Sequence, residues 1–63
     1  MYVIEYNKIK NQTRINDLEK LLNENIDYSL GRIKDSGYKL VAFSESYQSA
    51  LEQEATFWKI LNN

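Results

Sequence analysis

Apolar positions along the chain fall into groups with different spacings. Residues 2–9 read Tyr-Val-Ile-Glu-Tyr-Asn-Lys-Ile and are rich in β-branched and aromatic side chains. In an extended chain, Tyr2, Ile4 and Tyr6 share one face, and Val3, Glu5, Asn7 and Ile9 share the other. This segment is predicted as a strand. Tyr2, Tyr6 and Ile9 also lie at helical spacing, so a helix is the competing assignment. Residues 10–13, Lys-Asn-Gln-Thr, form a polar break. Asn11 or Thr13 there can offer a side-chain oxygen to the free N–H groups at a helix start.

From Ile15 the period changes. Ile15, Leu18, Leu22, Ile26, Leu30 and Ile33 recur at steps of three and four, a single apolar stripe on a 3.6-residue period. Leu21 widens it, and Asp17 and Glu19 suit the positive end of a helix dipole. The pattern predicts a helix over 13–35. Asn23, Asn25, Asp27, Ser29 and Gly31 are poor helix formers, and an unbroken helix would reach about 33 Å. A break near 25–31 is therefore the alternative. Asp35-Ser36-Gly37 reads as the stop, with Gly37 in the left-handed C′ position. Tyr38-Lys39-Leu40-Val41-Ala42-Phe43 is a short apolar run, predicted as a buried strand.

Ser44-Glu45-Ser46 opens a second helical segment. Tyr47, Leu51, Glu54, Trp58 and Leu61 follow at steps of four and three, with Ala50, Phe57 and Ile60 beside them. Residues 45–61 are predicted helical; the alternative places a strand at 56–61. The fold class is thus α+β, a small single domain over 1–63. Its order is β-α-β-α, or β-α-β-β under the alternative, with a long amphipathic helix on a short sheet. A helix between two strands returns the chain so that they run parallel. Two strands make a poor sheet, which points to completion by dimerisation, with a sheet continued across two subunits.

The combination Asp17-Leu18-Glu19-Lys20-Leu21-Leu22-Asn23, Gly37-Tyr38-Lys39-Leu40-Val41-Ala42-Phe43 and Phe57-Trp58-Lys59-Ile60 resembles small bacterial and phage domains with no known activity. The resemblance covers about half the chain and bears only on fold, where it implies the β-α-β-β order.

Size sharpens the expectation of a partner. A chain of 63 residues buries only about 60% of its unfolded surface. Small scaffolds usually add a staple. There is no Cys for a disulfide, and neither Cys nor His for a zinc site. Unusually good packing or self-association remains, and self-association, as a homodimer or other homo-oligomer, is the expectation.

The same absences bear on chemistry. The commonest acid–base group and the most reactive nucleophile are missing, and Gly31 and Gly37 stand alone rather than in a phosphate loop. Glu52 and Glu54 are two apart and do not face each other on a helix. Asp27 and Asp35 do not follow a calcium-loop pattern. No enzyme activity, metal or cofactor is expected. No stretch approaches the roughly 20 apolar residues of a membrane span, and the start lacks signal-peptide features. A cytoplasmic location is expected.

Binding residues remain. Trp and Tyr are favoured at contact hot spots, which makes the C-terminal segment the candidate protein-interaction site: Tyr47, Leu51, Phe57, Trp58 and Leu61. Adjacent helical residues diverge by about 100°, so of Phe57 and Trp58 one is expected in the core and the other on a second surface. The only basic concentration is Lys8, Lys10 and Arg14, with Lys20 nearby. A strand followed by helices and dimerised through the strand is similar to the ribbon-helix-helix plan of some DNA-binding repressors, whose strand side chains enter the major groove. Against that plan stand a net charge of −1 and the Gly37–Phe43 run, which interrupts the second helix. The leading expectation is a small non-enzymatic interaction protein. It would be a phage- or mobile-element-type regulator or inhibitor acting by stoichiometric binding to another protein. The alternative is a dimeric DNA-binding regulator contacting nucleic acid through Lys8, Lys10 and Arg14.

Overall fold

The computed structural model describes residues 1–63. The elements are β1 (Tyr2–Asn7), β2 (Gln12–Asp17), α1 (Leu18–Ser29), β3 (Tyr38–Ser44) and α2 (Tyr47–Leu61). The sheet has three strands in the order β2-β1-β3, and β1 is antiparallel to both neighbours. The class is α+β, but the order is β-β-α-β-α, which replaces both predicted orders.

The difference lies in residues 8–17. The polar break is a hairpin turn, not a helix start. Asn11 takes φ 54°, a left-handed conformation that Asn tolerates better than most residues. Its Oδ1 accepts from the Tyr6 hydroxyl at 2.7 Å. The Lys10 N–H donates to Asn7 Oδ1 at 3.0 Å, so two side chains at the end of β1 close the turn. Ile15 is then paired with Ile4 in the ladder and is not the first residue of the helical stripe. The two strands expected to run parallel, β1 and β3, are antiparallel; the strands that α1 joins are β2 and β3, which run parallel on either side of β1. α1 carries the chain across β1, which fills the gap between them.

α1 is shorter than the stripe predicts: 12 residues, about 18 Å long. The Asp17 side chain accepts from the Glu19 N–H at 2.9 Å and caps its start. Its end is the predicted break. Gly31 N–H donates to the Tyr28 carbonyl at 3.0 Å, and Arg32 N–H donates to the Asp27 carbonyl at 2.8 Å. Gly31 sits at φ 73°. This is a Schellman end with Gly31 at C′, in place of Gly37. α2 is helical throughout, capped by Ser46 accepting from the Ser49 N–H at 3.1 Å, so the strand alternative at 56–61 falls away.

The two faces of β1 have different partners. Tyr2, Ile4 and Tyr6 look toward α2. Tyr2 meets Tyr47 edge-on at 5.6 Å between ring centroids, Tyr6 meets Phe57 at 5.1 Å, and Ala50 is fully buried. Val3, Glu5 and Asn7 look the other way, where α1 lies on the β2 side and buries none of its own residues. The apolar core is therefore small: Val3, Ile4 and Ala50.

β3 corrects a further expectation. It is an edge strand, not a buried one, and Leu40, Val41 and Phe43 are exposed. The register slips between Ile4 and Glu5, which face Ala42 and Leu40. Val41 is thus the extra residue of a β-bulge.

Candidate protein-interaction surfaces

α1 is turned inside out relative to its pattern. The residues facing the sheet are the half-buried Leu18, Leu21 and Glu24. The stripe expected to pack against it, Leu22, Ile26 and Leu30, is 52%, 53% and 60% exposed. An amphipathic helix normally gains its stability by burying such a stripe.

An electrostatic reason for the rotation lies beneath the helix. Glu5 sits in the central strand with 1% exposure. Arg14 Nε donates to Glu5 Oε2 at 2.7 Å and Nη2 donates to Glu24 Oε2 at 3.1 Å. Asn16 Nδ2 donates to Glu5 Oε2 at 3.3 Å. The Arg14 guanidinium also lies 4.1 Å from the Tyr38 ring centroid, a cation–π distance. The hydrogen bond that Arg14 donates to the Glu5 carboxylate raises the Arg14 pKa above its ordinary value, against the lowering effect of burial. A buried charge is tolerable only when paired and hydrogen-bonded. Glu24 completes the pairing by facing inward, and that orientation turns Leu22 and Ile26 outward.

The second exposed apolar surface runs along β3 and the adjoining side of α2. The bulge brings Val41 to a groove shared with Ala42, Phe57 and Ile60. Ile60 is 70% exposed. Leu40 and Phe43 are exposed on the face away from α2, where α1 packs mainly against β1 and β2.

The residues singled out in the C-terminal segment are spread over α2. Tyr47, Leu51 and Leu61 are exposed, while Phe57 and Trp58 are half-buried. Both large rings turn to the sheet, contrary to the expectation that they diverge. Tyr6 stands between them, 5.1 Å from Phe57 and 6.0 Å from Trp58 between centroids. The Trp58 indole N–H donates to Thr13 Oγ1 at 2.9 Å, and that hydroxyl donates to Glu54 Oε2 at 2.8 Å. The basic group is divided. Lys8 and Lys10 are exposed on the hairpin turn, while Arg14 is occupied by Glu5 and Glu24. β1 is paired on both sides within the chain, so it has no free edge for the strand pairing of the ribbon-helix-helix plan.

Residues missed at the sequence level are Leu22, Ile26 and Leu30 as surface, and Leu40, Val41, Phe43 and Ile60. The signal was present but weak: three strands and two helices supply too few layers to cover every apolar side chain. No helix is long and apolar enough to cross a membrane. No family model matches the chain, and searches of curated proteins and of solved structures return no match.

Proposed function

We propose that this chain is a small non-enzymatic protein-binding module, a cytoplasmic regulator or inhibitor of the phage or mobile-element kind that acts by stoichiometric contact. The observation that carries this reading is the outward stripe Leu22, Ile26 and Leu30 on α1. Contiguous exposed apolar residues rimmed by polar ones mark interaction sites on soluble domains. Here Asn23, Asn25 and Ser29 supply the polar rim. A helical stripe of this spacing suits a groove or a second helix on the target.

Photo-crosslinking tests it. A benzoylphenylalanine is placed at Ile26, with Lys20 as an exposed polar control. Irradiation in the producing cells is expected to give a discrete heterologous adduct from position 26 and none from position 20. No adduct at position 26, or equal labelling at both, overturns the reading.

A further inference from the structure

We infer that the β3 edge and its α2 flank form a seam for a second copy of this chain, docked with the two β3 strands antiparallel about a two-fold axis. This surface is separate from the α1 stripe, and the inference stands apart from that reading.

The ladder registers sort the charges by position. At one end of the sheet lie Lys8 and Lys10, in the turn just beyond the Asn7–Gln12 pair, and Lys39 opposite Tyr6. At the other end Asp17 stands opposite Tyr2, and Glu45 follows Ser44, Tyr2's other partner. β3 therefore runs from a basic end to an acidic one. An antiparallel copy sets each basic end against its mate's acidic end, and pairing centred on Ala42 places Lys39 across from Glu45 of the second copy. A parallel arrangement would set like charges together. Lys39 already meets Asp35 at 3.0 Å, but both side chains are largely exposed, so that pair offers little resistance to a new partner.

The apolar part of the seam is self-complementary. Val41 and Ile60 lie on one side of the edge and Phe43 on the other, so a two-fold axis through Ala42 and normal to the sheet gathers Val41 and Ile60 of both copies on one face of the seam and the two Phe43 side chains on the other. A standard interface removes about 800 Å² per partner, about a sixth of this chain's 4814 Å². The Val41 bulge interrupts a continuous ladder, so side chains rather than an extended sheet carry the contact.

Sedimentation equilibrium of the purified chain tests the seam, with circular dichroism to confirm folding. The wild type is expected to dimerise. Ile60→Glu, on an exposed helical site, is expected to weaken dimerisation roughly a hundredfold. Ile26→Glu on α1 is expected to leave it unchanged. Lys39→Glu and Glu45→Lys are each expected to weaken it about tenfold, and the double reversal to restore it. A monomeric wild type, a dimer insensitive to Ile60→Glu, a dimer lost with Ile26→Glu, or a double reversal no better than the single ones would each overturn the inference. A monomer that still crosslinks a heterologous protein from position 26 would sink this seam and leave the α1 reading intact.

Discussion

The two helices are held to the same sheet by opposite means. α2 is fastened along its length: Ala50 is sealed, Tyr47 and Phe57 meet Tyr2 and Tyr6, and Trp58 is hydrogen-bonded to Thr13. α1 is held by less: Leu18 and Leu21 are only half-buried against the sheet, and Glu24 meets Arg14. Apolar periodicity alone does not decide which side of a helix faces inward. A single buried carboxylate in the neighbouring strand can recruit a counter-charge network and turn the greasy side out.

The sharpest break of this comparison is at Arg14. Arg14→Ala strands the Glu5 carboxylate without its cation and is expected to cost about 3–5 kcal/mol, read by urea denaturation. A domain this small holds only about 3–9 kcal/mol in total. Replacing both partners with apolar residues, Glu5→Leu with Arg14→Met, is expected to recover much of that loss. In that double variant α1 has no charge to face, so proteolysis or hydrogen exchange in α1 would reveal any change in its seating.

A smaller contrast separates the apolar anchors. Phe57→Ala is expected to cost about 2 kcal/mol, less than a fully buried ring would because Phe57 is only half-covered. Ile26→Ala is expected to stay within about 0.5 kcal/mol. Equal losses for the two would contradict the exposed placement of the α1 stripe. Gly31→Ala, forced into φ 73° with open space around it, is expected to cost about 1 kcal/mol. That loss should show as faster amide exchange confined to the end of α1.

The smallest effect is at Asp35. The Gly37 N–H and then Lys39 hold its carboxyl below the usual 3.8. Its folded-state pKa lies below the unfolded one, so the ionised form favours the fold at neutral pH. That contribution fades as pH falls from about 4 toward the folded value. Carboxyl-detected NMR is expected to show Lys39→Ala moving the Asp35 midpoint upward without restoring it fully, because the Gly37 donor remains.

The sequence pattern was legible where composition and turn residues backed the spacing. β1 alternates as read, Ser46 caps α2, and the Tyr38–Ser44 strand lies within a residue of its predicted bounds. It misled where two readings shared residues. Ile15 continues the helical spacing of Leu18 and Leu22 by coincidence, and its strand partner Ile4 lies 11 positions upstream, beyond any local window. β3 was read as buried because apolar runs usually are, yet no element is left in the chain to cover it. The interaction surfaces were legible as an apolar excess in a small chain but not in position. Their location depends on Glu5, whose alternation placed it opposite Tyr2 and Tyr6 without announcing that it would be sealed.

One amide ties the loop after α1 to the hairpin. Asn7 is 2% exposed, accepts from Lys10 N–H, and donates through Nδ2 to the Ser36 carbonyl at 3.3 Å. Gly37 passes so close that a Cβ there would lie 2.9 Å from that nitrogen. The carboxamide works in one orientation only, since a flip would set oxygen against oxygen at Ser36. The connection that leaves α1 is thereby pinned to the central strand just before β3 begins, so β3 takes its starting point from that anchor rather than from the helix.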